Sequence, residues 1–113
     1  WLGVDVGCGN GKNMAIRPDT PILGLDLSWA LLSICQQRSL ETVCASMISL
    51  PWRPHIFDFG LCIAALHHLA TAARRQAALR EILGALGKDA PLLLFVWAWE
   101  RDRNASVYRH PDQ

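Results

Sequence analysis

No stretch of this chain is long enough to cross a bilayer. The longest apolar run, Pro91 to Trp99, falls well short of the roughly 20 residues that a spanning helix needs. No basic-then-apolar segment opens the chain, so no secretory leader is read from it. Charge of one sign is missing too: 11 Lys and Arg stand against 10 Asp and Glu, a net +1. The sum therefore gives no basic footprint for nucleic acid, although a local patch or a partner can still supply one. The four cysteines, Cys8, Cys35, Cys44 and Cys62, show no CxxC spacing. They fall in or beside apolar segments, which favours buried free thiols in a reducing compartment over disulfides or zinc. We therefore expect no metal. Repeats, linkers and low-complexity tracts are absent, and 113 residues suffice for one domain and not two. Half of the residues (51%) are apolar and 19% charged, the balance of a globular chain rather than a disordered one. The chain opens on Trp1, directly in a strand-like run, so we expect a single partial domain over residues 1–113.

What the chain does carry starts at Val4-Asp5-Val6-Gly7-Cys8-Gly9-Asn10-Gly11. An apolar strand runs straight into three glycines spaced two apart, with an acid two residues before the first. Glycine tolerates φ > 0 and has no Cβ, so such a junction lets backbone approach a ligand closely. The helix start that follows is expected to offer free N–H groups to something polar. Asp26 closes the next apolar run and puts a second acid near the same edge.

The remaining pattern alternates strands with helices. Leu2 to Val6 reads as a buried strand. Lys12 to Ile16 reads as a short helix stopped by Arg17-Pro18-Asp19. Pro21 to Asp26 is a second strand, and Ser28 N-caps a helix from Trp29 to about Arg38. Thr42 to Ala45 is a weak third strand, and Leu50 to Pro54 is a loop. Phe57 to Ala64 is apolar enough for a central fourth strand. Thr71 caps a helix from Ala72 to Leu86, in which Leu79, Ile82, Leu83 and Leu86 form the stripe expected to face the sheet. Gly87 stops it, and Pro91 to Ala98 is expected to be a fifth, buried strand. The result is an α/β class: a Rossmann-like, doubly wound, mostly parallel sheet covered on both faces. Ligands on such sheets bind outside the carboxyl ends of the strands. The Gly7–Gly11 stretch, Asp26, Ser46 and the run from Ala64 to His68 all fall at those ends.

The glycine pattern is GxGxG, with Lys12 where a dinucleotide fingerprint GxGxxG has its third glycine. No phosphate-cradling G-x-x-x-x-G-K-[ST] occurs, since Asn13 follows Lys12. An acid at the second strand end can accept both ribose hydroxyls, or it can simply cap the Ser28 turn.

At this point a resemblance becomes specific. Asp5-Val6-Gly7-Cys8-Gly9-Asn10-Gly11 resembles motif I of class I S-adenosylmethionine-dependent methyltransferases, and Gly24-Leu25-Asp26-Leu27-Ser28 resembles their acidic second-strand motif. Leu50-Pro51-Trp52 is similar to the Leu-Pro-Phe that follows their third strand, and Phe57-Asp58 opens the fourth. Ile63 to Thr71 with its His67-His68 pair, then Arg74-Arg75, then Val96-Trp97-Ala98-Trp99-Glu100, resembles the eukaryotic tRNA wobble-uridine methyltransferases that esterify 5-carboxymethyluridine. The methyltransferase module of AlkB-homologue tRNA enzymes shares that series. The resemblance covers nearly the whole chain and implies a class I fold missing its last two strands.

The resemblance also assigns roles. Gly7, Gly9 and Gly11 would lie against the methionine part of S-adenosylmethionine. Asp5 would orient the loop or meet the cofactor's amino group, or serve only as an acceptor for loop N–H groups. Cys8 would contribute as a small packing residue of the loop, and Leu27, Met47 and Ala64 as neighbours of the cofactor. Relatives carry an acid where this chain has Ser46. A hydroxyl meets the adenine amino group more weakly, a loss of about 1.5–3 kcal/mol for a charged hydrogen bond. The Pro-Gly-Gly-type turn of relatives is replaced by Lys88-Asp89-Ala90-Pro91.

A carboxylate acceptor is already ionised at neutral pH, with a reference pKa near 4, so no strong general base is needed. His67 and His68 would contact the acceptor's carboxylate or uracil edge, or pack with one ring inside and one in solvent. Arg74 and Arg75 sit in the first turns of a helix, where cations oppose the macrodipole. Arg74 is the candidate for an anion (substrate carboxylate or tRNA phosphate), and a solvated basic face is the alternative. Trp97 and Trp99 alternate and are expected on opposite faces, one in the core and the other stacking on a base or packing under a lid.

The expected partners are tRNA as substrate and a small zinc-binding activator subunit, with no membrane. The expected location is the cytoplasm, with the nucleus as a second compartment. Two other readings stay open: a degenerate or truncated binding module, and a methyltransferase for a small carboxylic acid.

Overall fold

A computed structural model describes residues 1–96; the expected ends of the last strand and Trp97, Trp99 and Glu100 lie outside the described residues. Five strands form one parallel sheet: β1 (Gly3–Val6), β2 (Ile22–Asp26), β3 (Thr42–Cys44), β4 (Phe59–Ile63) and β5 (Leu92–Phe95), in the order β3-β2-β1-β4-β5. The doubly wound expectation is met. The order reverses beside β1, and the loops after β1 and β4 leave the sheet on either side of that switch point, where such sheets bind ligands.

Two helices and two short turns join the strands. Helix α1 (Trp29–Gln37) starts at Ser28, whose Oγ accepts the Leu31 N–H. Helix α2 (Ala72–Ala85) starts at Thr71, whose Oγ1 accepts the Arg74 N–H at 3.2 Å. Both caps follow from short hydroxyl side chains that satisfy one otherwise orphaned donor each. The expected helix after the glycines shrinks to one 3-10 turn, Met14–Ile16. A second such turn, Leu66–His68, follows β4.

Alternation along β1 places Val4 and Val6 on one face and Asp5 on the other. Val4 and Val6 join Phe57, Cys62, Leu66, Ala78, Ile82, Ala85 and Leu86 in the main core. Cys8, Met14, Leu32 and Cys35 form a second cluster. All four cysteines are free thiols, and Cys8, Cys35 and Cys62 are buried. Burial pushes the Cys62 thiol up to about 11 and raises Cys8 and Cys35 as well. These thiols are therefore neutral packing groups near pH 7.

Two expectations need correction. Of the stripe expected to face the sheet, Ile82 and Leu86 are buried in the core and Leu79 packs against it, joined by Ala78 and Ala85, but Leu83 is 57% exposed. Strand β5 is not buried either: Leu93, Leu94 and Phe95 are exposed. It is the edge strand of the described sheet, so hydrophobicity alone misplaced it. No helix of the described residues is long and apolar enough to cross a membrane.

Candidate functional site

The glycine bend is held by the neighbouring strand. Gly7 and Cys8 both donate their N–H groups to the Leu25 carbonyl, at 2.7 and 2.9 Å. Gly9 donates to Asp26 Oδ2 at 2.9 Å, Gly11 to the Cys8 carbonyl at 3.0 Å, and Lys12 to Asn10 Oδ1 at 3.1 Å. The expected free donors are therefore mostly spent inside the protein. Gly7, Gly9 and Gly11 all have positive φ, at +77°, +56° and +82°, a backbone that side-chain-bearing residues rarely adopt.

The three glycines are not equivalent. A Cβ on Gly7 would overlap Ala65 Cβ and approach Met47 Cε to 3.7 Å. Gly7 thus seals the bend against the loops after β3 and β4. A Cβ on Gly9 would meet nothing within 4 Å. The bend is open at Gly9, where a ligand can lie on the backbone.

Asp26 ties the site together. Its second oxygen, Oδ1, accepts the Ser28 N–H at 2.9 Å, so this one carboxylate bridges the bend and the start of α1. The capping role and the bend contact coexist. Each carboxylate oxygen keeps a further lone pair, and the side chain is half-exposed, so it can still accept from ribose hydroxyls. The Asp26 carbonyl also accepts the Ala45 N–H at 3.2 Å, which brings the exit of β3 alongside. Ser46 follows there, half-buried, with its Oγ accepting the Ile48 N–H at 3.3 Å. Leu27, which follows Asp26, is exposed.

Asp5 lies beneath the bend and is 1% exposed. Its Oδ2 is buried and has no hydrogen-bond partner among the described residues. The reading of Asp5 as a mere acceptor for loop N–H groups is therefore not what the bonding shows, since Leu25 and Asp26 take those donors. Cys8 turns into the second cluster, and its Sγ and that of Cys35 both aim at the Gly9 carbonyl, at 3.8 and 3.2 Å. Cys8 shapes the bend from behind, with its thiol turned into that cluster.

On the β4 side, Ala64 takes a left-handed backbone at φ +53°, and its N–H reaches the Phe95 carbonyl at 2.7 Å. A non-glycine residue in that region stores about 1 kcal/mol or more of strain. The kink swings Ala65 over Gly7 and starts the turn that carries the histidines. The rings of His67 and His68 stack at 4.2 Å with an interplanar angle of 40°; His67 is half-buried and His68 exposed. The Arg74 side chain is exposed at the start of α2. Arg75 instead folds back and donates from Nη1 to the Leu69 carbonyl at 2.8 Å, which offsets the macrodipole and fixes the histidine turn.

Three contacts escaped the sequence reading. Ala65 packs on Gly7, Arg38 donates to the Asn10 carbonyl at 3.5 Å, and Cys35 supports Gly9. Each is fold-dependent, and no local pattern announces it. Among the described residues, no group of three or more His, Cys, Asp or Glu is placed to hold a metal ion.

Comparison with known proteins agrees with this architecture. A family model described as a methyltransferase domain matches residues 4–94. The tRNA (carboxymethyluridine(34)-5-O)-methyltransferase alkbh8 of Xenopus tropicalis is 41% identical over 109 residues, covering 95% of this chain and 17% of the relative. The enzyme of that name from Saccharomyces cerevisiae is 35% identical over 109 residues, covering 95% of this chain and 39% of its own length. Among solved structures, CalS10, an amino pentose methyltransferase from Micromonospora echinaspora with S-adenosylmethionine bound, superposes with a TM-score of 0.80 at 25% identity. That match covers 87% of this chain and 43% of CalS10. The chain spans less than half the length of each of these relatives. Because the match runs from β1 into β5 and takes in the bend, Asp26 and the histidine turn, the chain belongs to the methyltransferase domain family.

Proposed function

We propose that this domain binds S-adenosylmethionine over the Gly7–Gly11 bend and transfers its methyl group to the carboxymethyl group of a wobble uridine in tRNA. One observation carries the reading: the Gly9 N–H bonded to Asp26 Oδ2, with open space above Gly9. The residues present fit such a ligand. Asp26 has spare lone pairs for a ribose, Asp5 has an orphaned oxygen for a cation, and Gly9 leaves room for the chain between them.

When bound, the sulfonium supplies an already activated methyl group. The protein's own task is then alignment and exclusion of water. Asp26 would orient the nucleoside, and Ser46 would face the adenine. His67, His68 and Arg74 would hold the acceptor carboxylate, with Arg75 fixing their turn. The names of the relatives in Xenopus tropicalis and Saccharomyces cerevisiae support a tRNA acceptor. A zinc-binding activator subunit and a cytoplasmic or nuclear location belong to the same proposal.

Calorimetry on the full-length chain tests the cofactor. Binding is expected, and no heat at concentrations up to about 1 mM, the top of the usual KM range, overturns the reading. Transfer of a labelled methyl group to hypomodified tRNA tests the acceptor. Binding of tRNA without transfer makes the protein a binding module, a reading that Ser46 favours. Methylation of free small acids without RNA moves the acceptor class instead.

Ser46 offers a gain-of-function test. Ser46→Asp restores a charged acceptor for the adenine amino group and is expected to tighten cofactor binding by roughly tenfold, as one stronger hydrogen bond implies. An unchanged Kd in the same titration would place the adenine elsewhere.

A further inference from the structure

Asp5 is a carboxyl group in a poor place for a charge. It is in the central strand, 1% exposed, with Oδ2 orphaned. The titratable groups whose fields meet it come from four elements. Cys8 lies on the bend, Asp26 at the end of β2, Cys35 on α1 and Cys62 on β4. None of these brings a positive charge. The three thiols are pushed upward and stay neutral, and Asp26 repels a second negative charge. Arg38 is the cation that caps the C-terminus of α1, but it acts on Cys35 and donates to the Asn10 carbonyl.

An ionised carboxylate left unpaired in such surroundings is costly, and a buried acid resolves this by holding a proton or by meeting a cation. Both Asp26 oxygens already accept backbone N–H groups, so Asp26 is committed as an acceptor at the same bend.

We propose that Asp5 holds a proton in the ligand-free protein and releases it to solvent when a cationic ligand settles on the bend, so that uptake of S-adenosylmethionine expels about one proton. The inference rests on the cofactor reading above. In the step, the Asp5 carboxyl O–H breaks, its electron pair stays on the carboxylate, and the proton goes to the buffer. No other bond forms or breaks. The ligand's positive charge takes the place of the proton, so the local charge balance is kept.

Burial first, and the charge of Asp26 second, push Asp5 up to about 7. The sign follows from linkage. The folded chain keeps a proton that the unfolded chain has lost between about pH 4 and pH 7. Ligand-free stability from this group is therefore full below about pH 4, falls as pH rises towards 7, and levels off above. Cofactor binding runs the other way, because the bound form is deprotonated. Affinity should rise about tenfold per pH unit up to 7 and then flatten. The cofactor's own α-amino group titrates only near 7.7–8.0, above this window.

The test is calorimetry of S-adenosylmethionine binding to the full-length chain at about pH 6, in two buffers of different ionisation heat. Release of close to one proton is expected in the wild type and none in Asp5→Asn, whose Kd should no longer follow pH. A carbon NMR titration of the Asp5 carboxyl in the ligand-free wild type should show a protonated group below about pH 6, and this reading survives even if the variant fails to fold. Binding without proton release, or a carboxyl already ionised at pH 6, overturns the inference and leaves the cofactor reading standing. No binding at any pH overturns the cofactor reading, and the inference with it.

Discussion

Asp26→Ala is expected to cost at least a hundredfold in cofactor affinity and about 2–4 kcal/mol in stability. The stability loss comes from two backbone donors, Gly9 N–H and Ser28 N–H, that share this one carboxylate. Hydrogen bonds to a charged group contribute about 1.5–3 kcal/mol each, and water can replace part of that at a half-exposed site. The affinity loss adds the two ribose hydroxyls that lose their acceptor, at about 1.4 kcal/mol for each factor of ten. Asp26→Asn separates the effects. Its amide carries one oxygen, so it can satisfy one of the two N–H groups and must turn donors toward the other. An intermediate loss in both measurements is expected. Chemical denaturation gives the stability and calorimetry the affinity. Wild-type affinity in Asp26→Ala would remove the ribose from this carboxylate.

Gly7→Ala should come close to unfolding the domain, whereas Gly9→Ala should leave it folded and unable to bind. A Cβ at Gly7 overlaps Ala65 Cβ, which belongs to a strained backbone turn and not to the tip of a flexible side chain. Overpacking costs about 1–3 kcal/mol and a left-handed alanine about 1–2 kcal/mol more. The sum of roughly 2–5 kcal/mol is a large part of the 5–15 kcal/mol that holds a typical domain together. At Gly9 the new methyl meets nothing, so only the backbone term of about 1–2 kcal/mol applies. The methyl would instead occupy the opening where the ligand lies. Thermal denaturation of both variants, with cofactor titration of Gly9→Ala, checks the pair. A Gly9→Ala protein that binds normally would mean the ligand does not lie on this face of the bend.

These contrasts mark how far the sequence reaches. The Gly7–Gly11 spacing announces a bend because only glycine accepts those φ values cheaply, a property of single residues. Ser28 and Thr71 mark helix starts for an equally local reason, since a short hydroxyl reaches the N–H three residues on. Alternating apolar strands and helices give the parallel sheet. Leu83 and β5 were misread because hydrophobicity says that a residue prefers burial and not that a neighbour exists to bury it.

The amino-acid order alone thus determined the elements, the bend and the pairing of an acid with each of the first two strand ends. Only the tertiary structure decided that Asp26 grips Gly9 across 17 positions, that Asp5 is shut in without a partner, and that Gly7 is sealed while Gly9 is open. The reason is that conformation is set by adjacent atoms, while strand order, desolvation and vacant space are set by chain segments that meet only after folding.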